Sequence, residues 1–187
     1  MNNTLVIFSG LPGTGKSTLA NRLARELRWP LLRIDDVVLH VPENAGMDFW
    51  DTQISILLRL AEAQLELGLD VIVDSVFMNT DRYHAQALAR KYQSRFRPIY
   101  TFVSDDQVWQ ERVMKRSAEL NNPAVATWHQ LQHQRQHFRK WEPNTALFID
   151  AVNPLEQNFA TVLGFVQTDE IALSPLEDIP LVKGKYH

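Results

Sequence analysis

The chain has 187 residues, 45% of them apolar and 22% charged, with a net charge of −3. That length carries one domain with a full core, and with no cysteine it has neither a disulfide frame nor thiolate chemistry. The charge balance gives no general basic field for nucleic acid, and no apolar run approaches the ~18 residues of a membrane span.

The start is a strand pattern rather than a charged-then-apolar leader. Leu5 to Phe8 is a short run of β-formers, the mark of a buried parallel strand. A loop with Gly10, Gly13 and Gly15 follows, and from Lys16 the pattern is helical, with Leu19, Leu23 and Leu27 every four residues. Glycine loses more backbone freedom on folding than any other residue, so three in six positions need a reason. A phosphate supplies one. Glycines let several N–H groups turn inward, and a helix N-terminus adds unpaired donors and partial positive charge. Gly10-Leu11-Pro12-Gly13-Thr14-Gly15-Lys16-Ser17 fits G-x-x-x-x-G-K-[ST] with no mismatch, followed by Thr18. Lys16 is then placed for β- and γ-phosphates and Ser17 for Mg²⁺.

Further along, Leu31 to Ile34 reads as a second strand, ending in Asp35 and Asp36. A helix over 48–67 presents Ile54, Leu57, Leu58, Ala61 and Leu65 on one face and stops at Gly68. A strand over 69–74 ends in Asp74, a helix spans 81–95, and a fourth strand spans 98–104. Two polar helices over 106–119 and 124–140 are broken at Asn-Asn-Pro, and form a candidate lid over 106–140. A fifth strand over 146–151 and a helix over 154–167 follow, the helix burying Leu155, Phe159, Val162, Leu163 and Val166. Strand and helix alternate, which argues for a parallel α/β sheet covered on both faces. The expected domain is 1–168, with an extended, proline-punctuated tail over 169–187.

Ligands in open α/β sheets bind outside the carboxyl ends of the strands. Asp74 therefore falls where an acid holds Mg²⁺, or else serves as a turn cap. Phosphoryl transfer to an alcohol also needs a group that orients the hydroxyl and takes its proton. Neighbours on a strand face opposite ways, so one of Asp35 and Asp36 faces the site; Asp35 is favoured as the base, with Asp36 as a cap or substrate contact. Arg112, Lys115 and Arg116 share one helix face, suited to closing over phosphates or to standing in solvent. His129, His133 and His137 lie on one straight face without interleaved acids, which reads as wet surface rather than a metal site. Trp128, Leu131 and Phe138 are that helix's packing side.

These segments resemble the P-loop kinases related to the 5′-kinase domain of polynucleotide kinase, to chloramphenicol phosphotransferase and to zeta toxins, a group of AAA-type ATP-binding proteins. The resemblance covers about 1–167, through "GLPGTGKST", "RIDD", "VIVDSVFMN", "WQERVMKR" and "FIDAVNPLEQN". It implies the P-loop NTPase fold, five parallel strands in the order 2-3-1-4-5 and a helical lid. It also implies Asp35 as catalytic base, Asp74 and Asn79 lining the site, and Arg112 and Arg116 near the phosphates. The stretch 40–50 matches no member of that group and is where substrate choice is expected, with His40 a candidate contact. Phe49 and Trp50 either stack on an acceptor ring or pack in the core.

Other P-loop classes fall away. The chain has no N-K-x-D guanine reader, no LSGGQ signature and no second helical domain, and it reads "DSVFMN" where nucleoside monophosphate kinases carry D-G-[FY]-P-R. The expectation is an ATP- and Mg²⁺-dependent cytoplasmic kinase acting on a small-molecule hydroxyl or a polynucleotide 5′ end. The alternative is an ATP-binding switch without transferase activity. In 36–60, Arg59 is the one cation against Glu43, Asp48 and Asp51, which leans away from nucleic acid. Acceptor, nucleobase preference and oligomeric state stay open.

Overall fold

The computed structural model describes residues 3–38, 49–78, 80–120, 127–169, 171 and 173–176. In chain order the elements are β1 (Thr4–Ser9), α1 (Lys16–Leu27), β2 (Leu31–Arg33), α2 (Ile34–Val38), α3 (Phe49–Glu66) and β3 (Val71–Asp74). Then come α4 (Asp81–Lys91), β4 (Arg95–Phe102), α5 (Asp106–Leu120), α6 (Trp128–His137), β5 (Leu147–Asp150) and α7 (Leu155–Gln167). The five strands form one parallel sheet in the order β2-β3-β1-β4-β5, as expected.

A central parallel strand has both faces covered, so its residues must be apolar throughout. Leu5 to Phe8 are fully buried. Leu5 and Ile7, with Val71 and Val73, pack against Ile54, Leu57, Ala61, Ala85 and Ala89. Val6 and Phe8, with Ile72 and Ile99, pack against Leu19, Leu23, Phe159 and Val162. Each large side chain so buried contributes about 1.5–3 kcal/mol, and the two layers together hold the carboxyl edge of the sheet in one place. In that edge's register Phe8 pairs with Asp74 and Ser9 with Tyr100.

The structure departs from the sequence reading in four places. Strand β2 ends at Arg33, so Asp35 and Asp36 do not end a strand; they occupy the first turn of α2, where a helix favours acids. They diverge by the ~100° of a helical step rather than by the alternation of a strand. Helix α4 stops at Lys91, because Gln93 takes a left-handed φ of 53° and Ser94 N–H turns back to Ala89 O at 2.9 Å. Strand β4 then begins at Arg95, earlier than the apolar run, since its arginines are satisfied sideways. Arg97 donates to the carbonyls of Thr168 and Asp169, and Arg95 to Thr4 Oγ1 and Asp169. Leu155 is 44% exposed, not buried, because it stands at the first turn of α7 above the carboxyl edge.

Other expectations hold. Gly68 takes φ 75° and closes α3. Trp128, Leu131 and Phe138 pack inward while His129, His133 and His137 are exposed. Of the tail, Leu176 is buried, and its N–H donates to Gln86 Oε1 on α4 at 3.0 Å. No helix among the described residues is long and apolar enough to cross a membrane.

Candidate active site

The loop between β1 and α1 is held from several sides. Gly10 N–H donates to Val76 O, and a Cβ at Gly10 would lie 2.3 Å from Thr101 O, so no side chain fits there. Gly13 has φ 82°, and a Cβ on it would meet Val113 Cγ2 of α5 at 2.8 Å. Thr14 Oγ1 donates to Leu11 O at 2.8 Å or shares a bond of the same length with Thr101 Oγ1. Two indoles brace the loop. Trp141 Nε1 donates to Ser9 Oγ at 2.9 Å, and Trp109 Nε1 to Pro12 O at 2.9 Å.

A cavity of about 380 Å³ opens at the start of α1, within the range of small-ligand sites. Gly13, Gly15, Lys16, Ser17 and Thr18 line it from the loop, and Arg112 and Arg116 from α5. Ala151, Asn153, Leu155 and Asn158 line it from the β5–α7 junction. Gly10, Leu11, Pro12 and Thr14 build the loop without lining this cavity.

Lys16 is buried, and its Nζ donates to Leu11 O at 3.1 Å. Burial lowers its pKa, while the negative charges of Asp74 and Asp35 pull it back up. Asp74 is 4% exposed at the end of β3. Burial raises its pKa, opposed by the Lys16 charge and a hydrogen bond from the Ser17 hydroxyl. Its Oδ1 is buried with no hydrogen-bond partner. An orphaned carboxylate oxygen beside a hydroxyl is the donor set that suits a hard divalent cation, so Asp74 and Ser17 fit Mg²⁺.

The two neighbouring acids separate. Asp35 accepts from Arg116 Nη2 at 3.4 Å, with side chains 64% and 44% exposed. Asp36 turns back to Arg33 in a two-pronged pair at 2.9 and 2.6 Å. Arg112 donates to Ala151 O at 2.9 Å, tying α5 to the end of β5. Lys16, Ser17, Asp35, Asp74, Arg112 and Arg116 are thus brought together, and Asp36 faces away to its own arginine. His40 and Asn79 lie outside the described residues, as do the side chains of Phe49 and Trp50.

Sequence reasoning missed Trp109 as a brace and Asn153, Leu155 and Asn158 as a wall. Their signal was positional: the wall follows the carboxyl end of β5, where ligands of such sheets sit.

No curated protein matches the sequence. A gluconokinase from Sinorhizobium meliloti 1021 is 19% identical; the match covers 88% of this chain and 91% of that one, with a TM-score of 0.65. The Mycobacterium tuberculosis APS kinase CysC, solved with AMPPNP and APS, is 16% identical over 89% of this chain and 99% of that one, with a TM-score of 0.68. Chaetomium thermophilum Kti12, solved with ADP-AlF3, is 15% identical over 88% and 100%, with a TM-score of 0.65. These likenesses are of fold. The AAA domain family matches residues 5–141, from β1 through the phosphate loop, α5 and α6 to Trp141. With well over half of its residues matched, and its five strands in the order of the P-loop kinases, the chain belongs to the AAA domain family.

Proposed function

We propose that the protein is an ATP- and Mg²⁺-dependent kinase that transfers the γ-phosphate to a hydroxyl of a small molecule. The observation that carries this reading is the pairing of Asp35 with Arg116, whose side chain lines the phosphate-loop cavity together with Lys16. A lone nucleotide-binding loop needs neither an accessible carboxylate nor a lid arginine opposite it; phosphoryl transfer needs both.

The loop amides at Gly13 and Gly15 and the Lys16 ammonium receive the β- and γ-phosphates. Ser17 and Asp74 would hold Mg²⁺, which neutralises charge on those phosphates when bound. Arg116 turns from Asp35 to the γ-phosphate, and Arg112 joins it. The freed Asp35 carboxylate accepts the acceptor's hydroxyl proton. The acceptor oxygen forms its bond to the γ-phosphorus as the bond to the bridging oxygen breaks, and ADP leaves with that electron pair.

The gluconokinase and APS kinase among its structural neighbours support a small acceptor. Arg59 is engaged by Glu62 and Glu66, so it offers little to a polynucleotide 5′ end. In this reading residues 1–168 are the kinase domain, 106–140 its lid, and the protein works in the cytoplasm, as a chain without cysteine suits.

Transfer of labelled γ-phosphate into a metabolite extract identifies the acceptor. Asp35→Asn is expected to cut the transfer rate by about 10²- to 10⁴-fold with ATP affinity nearly intact. If the wild-type chain binds ATP with magnesium yet labels nothing, the kinase reading fails and an ATP-binding switch replaces it.

A further inference from the structure

On the other flank of the phosphate loop lies a second cavity of about 280 Å³. Its floor is Tyr100 and Phe102 of β4 with Phe148 of β5, its loop side is Leu11 and Thr14, and the lid covers it through Trp109, Arg135 and Phe138. It shares no lining residue with the nucleotide cavity. Gly13 faces one space and Thr14 the other.

Three features say what fits. The first is an aromatic cage. The Tyr100 ring stacks at 5.9 Å from Phe102 and 5.8 Å from Phe138, and meets Phe148 edge-on at 5.4 Å. The second is a polar group on the wall. Tyr100 is only 6% exposed and lines the cavity. Burial raises its pKa against the pull of Arg135, so the hydroxyl remains a donor. The third is charge at the rim. Arg135 gives one arm to Asp106 at 2.7 Å and keeps the rest of its guanidinium 5.4 Å from the Trp109 ring. Lys140 has no carboxylate partner among the described residues.

Ring faces inside, a phenol donor and two cations at the mouth complement a flat apolar body with one negative end. A cavity of ~150 Å³ lined by apolar side chains holds benzene, so this larger one has room for two fused rings. We propose that this cavity is a binding site for a small aromatic carboxylate, its rings packed against the wall of Tyr100, Phe102, Phe138 and Phe148 and its carboxylate toward Arg135 and Lys140. The proposal does not rest on the kinase reading, and the two fail separately.

The test is calorimetric titration of the full chain with 2-naphthoate, with and without saturating Mg·ADP. One site is expected in both conditions. Phe148→Glu, on a side chain already 40% exposed, puts a negative charge into the apolar floor and is expected to weaken binding by about 20-fold or more. Arg135→Ala is expected to weaken it by about tenfold and Tyr100→Phe by about threefold. Neutral 2-naphthol is expected to bind about tenfold more weakly than 2-naphthoate. Thermal melts confirm that each variant is folded. No measurable heat with wild type at millimolar 2-naphthoate, displacement by ADP, or equal binding by folded Phe148→Glu each overturns the proposal.

Discussion

Trp109→Phe tests whether the lid is fastened to the phosphate loop by one indole. Trp109 is 3% exposed on α5, and its Nε1–H donates to Pro12 O at 2.9 Å. Phenylalanine keeps an aromatic ring but loses that donor, worth about 1 kcal/mol net. The indole also meets Trp128 edge-on at 5.0 Å and lies 5.4 Å from the Arg135 guanidinium. A smaller ring weakens both contacts, by about 1 kcal/mol together. The sum of about 2 kcal/mol corresponds to about 30-fold in a local opening equilibrium. Hydrogen exchange read by mass spectrometry separates local from global effects. Amides of α5 and α6 should exchange about 30-fold faster, while those of β1 and β3 keep their protection. If lid exchange changes by less than about threefold while the whole protein loses about 2 kcal/mol in urea, the indole is an ordinary core residue and the clasp does not exist.

Two further outcomes follow from the same contacts. Gly13→Ala forces a Cβ to 2.8 Å from Val113 Cγ2 at a φ of 82°, costing about 1–2 kcal/mol in backbone strain alone; ADP affinity should fall by at least about tenfold, and Val113→Ala should restore part of it. The Glu62 carboxylate accepts hydrogen bonds from Lys91 and Arg59, which hold its pKa at about 2 against an ordinary 4.5. A lowered pKa gives stability that is full above the unfolded value and is lost as pH falls through the folded one. Solvent screening around the exposed Lys91 and Arg59 limits this to about 1 kcal/mol. Glu62→Gln should therefore cost about 1 kcal/mol in urea melts at pH 7, and less than half as much at pH 3; an unchanged gap at pH 3 would contradict the assignment.

The phosphate loop and the parallel sheet were legible in the sequence because both rest on local rules. A glycine-rich turn, a lysine and a leucine repeat lie within 27 residues, and the central strand's apolar run needs no partner to be recognised. Failures came where distant groups decide. Arg95 read as the end of a helix and Arg97 as loop, because the carbonyls that satisfy Arg97, at residues 168 and 169, are more than 70 positions away. Leu155 fits the buried face of an amphipathic helix, yet its place in the first turn leaves it over a cavity. Asp35 was placed near the loop for an alternation that does not apply, since α2 begins before it. The second cavity left no motif at all. It is assembled from β4, β5, the loop and the lid, and no one of those segments announces it.

Strand β1 occupies the middle of the sheet, yet its partners come late: Leu5 pairs with Val71 and Thr4 with Arg95. A fully buried strand is thus made before the two strands that flank it. Chains with such distant contacts fold more slowly than chains of local ones. During that interval "LVIF" stands bare with both edges unpaired, a ready template for the same segment in another copy. Yield on refolding should accordingly fall with protein concentration long before the finished molecule shows any tendency to associate.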